Sequence, residues 1–178
     1  VSWPSAWTEP ALSYSASTIN PNQKIIVNLT VYAPAGAEAG PYISKVRATS
    51  NTNDTATTTV SITTNVRQFY KVSVNIQGVK EVQPGAGQFV EYDVTVRNDG
   101  NGQDYFTLNT YVDPLNPGWS GDLSQSSTPT LDPGETTNLT LFVYPPLTED
   151  AGEKGYIWVN ATSEYDPAGA PAMKSSKS

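Results

Sequence analysis

Residues 92–108 read YDVTVRNDGNGQDYFTL, and this stretch decides which fold the sequence indicates. Tyr92, Val94 and Val96 alternate with polar residues, which is the period-two pattern of a half-buried β-strand. The next run, residues 98–102, is rich in Asn and Gly, which tolerate the positive φ of hairpin turns. A second alternating segment completes the stretch. Two antiparallel strands joined by a tight turn are therefore predicted.

The same alternation recurs along most of the chain. No segment shows the 3.6-residue period of an amphipathic helix. Runs rich in Gly, Pro, Asn and Asp, which favour turns, separate the alternating segments. Many short strands at such spacing are typical of a sandwich, so an all-β fold is predicted. The predicted strands span residues 24–32, 42–49, 56–65, 69–77, 89–97, 105–112, 136–144 and 155–162.

The sequence also repeats itself with a period of about 110 residues, which is the size of one β-sandwich domain. The matching segments follow one order in both copies: Trp7 with Trp119, residues 20–23 with residues 132–135, and residues 46–50 with residues 159–163. Repetition at this period indicates tandem β-sandwich units.

The repeat divides the chain into two predicted units and a tail. Residues 67–166 carry a nearly complete unit. Residues 1–66 carry only the later half of the motif and no counterpart of residues 69–112, so the first sandwich is predicted to be partial or small. Residues 167–178 are predicted to be a flexible tail. The second unit would then end one strand short, because the tail does not match the predicted strand 56–65.

Composition excludes several classes of function. The chain has no Cys and no His, which removes disulfides, thiolate nucleophiles, Ser-His catalysis and ordinary zinc sites. The net charge of −7 repels nucleic acid and anionic lipid. No apolar run approaches the ~18 residues of a membrane-spanning helix. We therefore expect no nucleic-acid partner and no membrane span in this chain.

Residues 92–108 resemble the "valine-threonine-asparagine-x-glycine-asparagine … phenylalanine-threonine-leucine" hairpin of prokaryotic immunoglobulin-like surface repeats. These include cell-adhesion-related domains and the domain found beside the carbohydrate-binding modules of α-galactosidases. The same pattern continues in order at residues 117–120, 131–136, 145–146 and 151–152, and its later half recurs within residues 7–50. The resemblance implies tandem immunoglobulin-like β-sandwiches. It also implies that the chain acts as a spacer, stalk or adhesive module of a bacterial or archaeal surface protein. Such modules usually lack catalytic residues.

Four Asn-x-Thr sequons mark candidate glycosylation sites at Asn28, Asn53, Asn138 and Asn160. Glycan transfer needs an exposed asparagine with a hydroxyl group two residues later. Strand alternation turns Asn28 and Asn138 away from the apolar face, and Asn53 lies in a polar loop. A chain rich in Thr and Asn also generates such triplets by chance, so their use requires export from a cell that glycosylates.

Two other groups of side chains suggest binding. Oxygen-bearing residues at 98–104 have a spacing suited to Ca²⁺, but the run lacks the Glu that closes a calcium loop, and a turn is the commoner role. Tryptophans can stack on the apolar faces of sugars, and Trp3, Trp7, Trp119 and Trp158 are the candidates. The recurrence of Trp7 at Trp119 favours a core position for both of these rings.

Acidic pairs are the only hint of glycosidase chemistry, which needs two opposed carboxylates. The candidate pairs are Glu81 with Glu91 and Glu149 with Asp150, and nothing in the sequence brings either pair to the required separation. Without His or Cys, no nucleophile–base pair can be assembled. The chain is therefore predicted not to be an enzyme, and neither a cofactor nor a metal is predicted.

These features predict a non-catalytic extracellular or cell-surface module with a structural role, as a stalk, an S-layer or sheath component, or a filament subunit. A half-complete sandwich exposes apolar surface and unpaired strand edges, and both favour association. The expected partners are other copies, joined head to tail by donor-strand-type β-complementation, or neighbouring domains of the same chain. The alternative is a carbohydrate-binding or adhesive module of a larger secreted protein, with glycans as partners.

Overall fold

Every regular element is a β-strand in the computed structural model, which describes residues 1–147, 152–166 and 172–177. The chain divides into two units, Val1–Gln68 and Phe69–Ser178. The first contains β1 (Ala11–Leu12), β2 (Leu29–Thr30), β3 (Gly40–Thr49) and β4 (Thr57–Val66). The second contains β5 (Val72–Ile76), β6 (Val90–Asn98), β7 (Phe106–Val112), β8 (Ser120–Leu123), β9 (Thr136–Tyr144), β10 (Tyr156–Ser163) and β11 (Ala172–Lys177). The predicted all-β fold is confirmed.

The second unit has two antiparallel sheets with strand orders β5-β6-β9-β8 and β11-β10-β7. When β5 to β11 are lettered A to G, these orders become A-B-E-D and G-F-C. That is the topology of the constant-type immunoglobulin sandwich.

Alternate residues of both sheets form the core of the second unit. Val94 and Leu141 from one sheet, and Phe106, Ile157 and Val159 from the other, are all fully buried in a single apolar cluster. Burying one such side chain contributes about 1.5–3 kcal/mol relative to leaving it exposed. This packing explains why the period-two pattern was visible in the sequence.

The hairpin predicted for residues 92–108 is a different connection in the structure. β6 pairs with β5 and β9, whereas β7 pairs with β10 in the other sheet. Residues 99–105 therefore cross from one sheet to the other. Alternation shows that each strand has one apolar face. It does not show whether two such strands pair in one sheet or face each other across a core from two sheets, because the pattern is the same in both cases.

The first unit repeats the second half of this topology. Its sheets are β1-β2 and β3-β4, which correspond to the D-E and F-G pairs. The pair Leu12–Leu29 matches the pair Leu123–Leu141 in the second unit. Among the described residues of the first unit, no strand occupies the A, B or C place.

The strand predicted at residues 24–32 is confined to Leu29–Thr30. Its counterpart β9 extends over Thr136–Tyr144 because β6 pairs with one edge and β8 with the other. A strand needs partners for its backbone groups as well as an alternating pattern. In the first unit only the short β1 supplies them.

The structure differs from the predicted flexible tail at Ala172–Lys177, which form β11 against β10. β11 takes the place that β4 occupies beside β3, so the second unit has its final strand. The pairing gives hydrogen-bond partners to backbone N–H and C=O groups along the edge of β10. This stabilises β11 although the side chains of the segment show no strand pattern in the sequence. The remaining tail residues, 167–171 and 178, lie outside the described residues. Among all the residues that the structure describes, no helix is long and apolar enough to cross a membrane.

Candidate functional site

Two of the four tryptophans are core residues. Trp7 is 6 % exposed and Trp119 is 8 % exposed, which confirms the interpretation drawn from their recurrence. The Trp7 ring packs on Tyr42 with 4.6 Å between ring centroids. The Trp119 ring lies directly against Gly155, where a Cβ atom would overlap with it. Neither ring is therefore available to stack on a sugar.

Trp158 has a different environment, on the outer surface of the second sheet of the second unit. Its neighbours in β10, Ile157 and Val159, point into the core, so alternation turns Trp158 outward. Trp158 is half-buried and lies directly across from Tyr111 of β7, which is 50 % exposed. Cross-strand neighbours on one face have Cβ atoms about 4.5–5.5 Å apart, so the two aromatic side chains start side by side on this face.

Polar side chains border this patch along the same strands. Asn109 of β7 is exposed on the outer face, two residues before Tyr111. Tyr156 of β10 is half-buried on that face, two residues before Trp158. We call Tyr111, Trp158, Tyr156 and Asn109 the aromatic face. Rings bordered by an amide are the arrangement that contacts the C–H and hydroxyl groups of sugars.

A second group of aromatic rings lies on the other sheet of the same unit. Phe89 packs against Phe142 and Tyr144 with centroid distances of 5.8 Å and interplanar angles of 71° and 49°. Tilted rings cover part of one another's faces and form no flat surface. This group is therefore a poorer platform for a sugar ring than the aromatic face.

A groove of about 810 Å³ lies in the first unit, and no pattern in the sequence predicted it. Residues 15–19, 48–52 and 56–58 line it, and most of them are Ser, Thr, Asn or Ala. Its walls can form hydrogen bonds but include no aromatic ring. The groove is consequently not a stacking site.

The sequon asparagines differ in accessibility. Asn28 and Asn138 are exposed, as strand alternation predicts, and Asn53 is exposed in a loop, whereas Asn160 is buried with 8 % of its surface exposed. The Asn53 amide oxygen accepts hydrogen bonds from the hydroxyl and the N–H of Thr55, at 2.7 and 3.2 Å. Glycosylation at all four positions stays a prediction. Asn160 is the poorest acceptor in the folded chain, since transfer needs an accessible amide.

The oxygen-rich run 98–104 uses its side chains within the fold. The Asn98 amide donates to the carbonyl groups of Gly102 and Leu131 at 2.8 and 2.9 Å, and its oxygen accepts from the Gly100 N–H at 2.9 Å. The Asn101 side-chain oxygen accepts from the Phe69 N–H at 2.7 Å. These bonds connect the crossover between the sheets to its surroundings, which is a structural role.

The acidic residues considered for catalysis are surface groups where the structure describes them. Glu81 and Glu91 are exposed, as expected for solvated charges, whereas Glu149 and Asp150 lie outside the described residues. In the parts of the chain that the structure describes, no three His, Cys, Asp or Glu side chains are grouped as metal ligands.

Comparison with protein-family models finds one match. Residues 1–51 match the model described as the NPCBM-associated, NEW3 domain of alpha-galactosidase. The match covers β1, β2 and β3, whereas the resemblance in the sequence rested mainly on the second unit and recurred in the first. A search of curated proteins finds no match. The chain is thus similar, over residues 1–51, to a domain described as associated with alpha-galactosidase.

Proposed function

We propose that this chain is a non-catalytic extracellular module of a larger secreted protein, and that it binds carbohydrate through the aromatic face of its second unit. The similarity of residues 1–51 to the NPCBM-associated domain supports the association with carbohydrate-active proteins. The outward position of Trp158 beside Tyr111 carries the binding part of the proposal. The absence of His and Cys supports a non-catalytic role.

The chemistry of the aromatic face suits a polysaccharide surface better than a small ligand. Trp158 and Tyr111 lie side by side on the outside of a sheet, where an extended chain of sugars can lie across both. Asn109 adds an amide that can donate to and accept from sugar hydroxyl groups. The net charge of −7 makes a neutral polysaccharide a better ligand than an acidic one.

The test measures retention of the purified chain on microcrystalline cellulose, chitin and galactomannan. Trp158→Ala is expected to weaken binding to the retained polysaccharide by at least about tenfold, because a factor of ten corresponds to about 1.4 kcal/mol and a stacked ring contributes that much. Tyr111→Ala is expected to act in the same direction. Tyr111→Ala should leave unfolding by urea almost unchanged because this side chain is half exposed, whereas Trp158→Ala should lower stability because its ring is half-buried, so urea unfolding is measured beside the retention of each variant.

Phe142→Ala is the matched control, because it removes an aromatic ring from the outer face of the other sheet in the same unit. It should not change retention. Trp119→Ala is unsuitable as a binding test, since the buried ring supports the core. Equal retention of the chain and Trp158→Ala, or retention on none of the three polysaccharides, would exclude the binding role.

A stalk or filament subunit is the second candidate, and the recurrence of the D-E-F-G half in two successive units favours it. Repeated sandwiches make extended spacers because each unit has the same size and the same connection. The bacterial or archaeal origin and the cell-surface location belong to this proposal as well. Light scattering after size exclusion tests it: a ladder of oligomers supports a filament, and a monomer without glycan binding supports a spacer.

A further inference from the structure

We propose that the first unit is the acceptor half of a sandwich, and that its open side binds an A-B-C segment, with the strand pattern of β5, β6 and β7, from a neighbouring repeat of the same polypeptide. The proposal is independent of carbohydrate binding. It rests on the match between the two units in turn, register and residue position. In the second unit β5, β6 and β7 cover the surface whose counterpart is open in the first unit.

The turn before strand E is the same in both units. Asn22 and Gly134 have positive φ angles of 66° and 80° at equivalent positions. The Gln23 N–H donates to the Asn20 carbonyl at 3.0 Å, and the Glu135 N–H donates to the Asp132 carbonyl at 2.9 Å. Because each turn places the following strand, residues 24–31 and residues 136–143 start from the same geometry.

A cross-strand serine contact fixes the register that follows. The Ser13 N–H donates to the Asn28 carbonyl at 3.0 Å, and the Ser13 hydroxyl accepts from the Asn28 N–H at 2.9 Å. Ser124 and Thr140 form the same two bonds at 2.8 and 3.0 Å. Strands D and E therefore have the same register in both units, and each residue of the first has a defined counterpart in the second.

Counterparts at these positions differ sharply in burial. Val27 is 42 % exposed, whereas its counterpart Leu139 is 6 % exposed. Ala48 of β3 is exposed, whereas its counterpart Ala161 of β10 is fully buried. In the second unit β5, β6 and β7 supply the other half of the core around these residues. The first unit presents the matching apolar surface without that half.

Two walls of the groove in the first unit are the counterparts of residues that flank strand C in the second. β7 pairs with Ala161–Ser163 on one side, and on the other Thr107 bridges to Ser127. The counterparts of those two walls are residues 48–50 and, from the register of Ser13 with Ser124, Ala16, and both line the groove. In the second unit Phe106, Thr107 and Leu108 lie between the counterparts of these two walls.

Ser2 shows the direction in which a strand enters this place. Its N–H donates to the Lys45 carbonyl at 2.9 Å, and its carbonyl accepts from the Lys45 N–H at 2.8 Å. The counterpart of Lys45 is Trp158, whose partner is Tyr111 near the end of β7. Ser2 consequently has the position of the last part of a strand C. β4 pairs with one edge of β3, and among the described residues Ser2 alone pairs with the other edge.

A second copy of the chain is a poorer source of the segment. Its own β5, β6 and β7 provide Val74, Val94, Val96 and Phe106, all buried in the core of its second unit. Donating them would dismantle that unit. A segment of the same polypeptide that is not part of a complete sandwich carries no such cost, and the pairing of Ser2 with Lys45 shows that the polypeptide can itself run along this edge of β3.

The experiment adds a copy of residues 69–109 directly before Val1. Ser2 then stands two residues after the copied residue 109, in the place that Tyr111 has in β7, so the copied part of β7 is aligned with β3 as β7 is with β10. A matched control carries the same addition with its Val94→Asp and Val96→Asp, which breaks the apolar pattern. Hydrogen exchange of the Arg47 and Thr49 amides, which point to the same edge as Lys45, is measured in both chains and in the original. We expect the intact addition to slow this exchange at least about tenfold.

The second unit is the internal reference, since its amides should exchange equally in all three chains. Equal exchange at Arg47 and Thr49 in the intact addition and the control would overturn the proposal. So would an original chain that dimerises with these amides already protected, because a second copy would then cover the face. If the extended chain does not fold, a separate peptide of residues 69–109 is added to the original chain. Saturable slowing supports the proposal, and unchanged exchange overturns it.

Discussion

Val27 in the first unit and Leu139 in the second follow the same turn, yet Leu139 is almost completely buried and Val27 is exposed over two fifths of its surface. The same contrast separates Ala48 from Ala161. Local sequence and local hydrogen bonds are equivalent at these positions, so they do not explain the difference. The second unit has an opposing A-B-C half and the first does not, which shows that an apolar strand face is buried only when a second layer covers it.

The contrast extends to the backbone. β9 has neighbours on both edges and spans nine residues, whereas β2 has one short neighbour and spans two. Each strand edge without a partner leaves N–H and C=O groups for water or for another chain. The first unit should accordingly open more easily than the second, and substitutions that test this difference have effects of graded size.

The largest effect is expected for Trp119→Ala. Loss of this buried ring should lower the free energy of unfolding of the second unit by about 3–5 kcal/mol, because a large side chain leaves a cavity that the core cannot fully close. Trp7→Ala, at the equivalent place, should leave that transition unchanged. Urea unfolding followed by circular dichroism measures both variants. A similar loss in the second-unit transition for both would remove the contrast between the units.

Gly155→Ala should have the next largest effect. A Cβ atom at this position overlaps with the Trp119 ring, and such overpacking typically costs about 1–3 kcal/mol. The first unit has Tyr42 at the equivalent position, and there the ring packs beside Trp7. The double variant Gly155→Ala, Trp119→Phe is the control, because a smaller ring should recover part of the loss. No recovery in thermal unfolding would place the strain elsewhere.

Ser124→Ala should have a smaller effect. The hydroxyl accepts from the Thr140 N–H at 3.0 Å, and a hydrogen bond of this kind contributes about 0.5–1.5 kcal/mol. Ser13→Ala removes the same bond from the first unit and should not change the unfolding of the second. Ser124→Thr retains a hydroxyl group and should keep part of the stability. An unchanged midpoint for Ser124→Ala would show that this contact does not hold the register.

The smallest effect is expected for Ile26→Asn. Ile26 is 81 % exposed, and its counterpart in the second unit is Asn138. Surface substitutions usually change stability by less than about 0.5 kcal/mol, so unfolding should be almost unaffected. Removing an exposed apolar side chain should raise solubility, which a precipitation assay measures. A clear loss of stability would show that Ile26 is covered in solution.

Much of the fold was predictable because alternation reports burial. The segments that became β3, β4, β5, β6, β7, β9 and β10 all showed the pattern, and the recurrence of Trp7 at Trp119 indicated a core position that the structure confirms. Three strands were missed. β1 and β8 are too short to show a period, and β11 is formed from residues whose pairing depends on the edge of β10.

The candidate site was only half predictable. Alternation alone turns Trp158 to the outer face of its strand, on the side opposite Ile157 and Val159. Its neighbour Tyr111 lies 47 residues earlier (158 − 111), and no local pattern reveals that the two residues meet. The burial of Asn160 was equally hidden, since it depends on the neighbouring strands of the sheet rather than on its own alternation.

The sequence by itself determined the strand class, the repeat and the absence of His and Cys chemistry, because these depend on residue type and period along the chain. Only the tertiary structure decided which strands share a sheet, that β6 and β7 face each other across a core, and that β11 completes the second unit. The tertiary structure alone showed that the apolar face of the first unit has no A-B-C strands to cover it. Hydrogen bonds between strands and packing between sheets join residues far apart in sequence, and a local pattern carries no record of such partners.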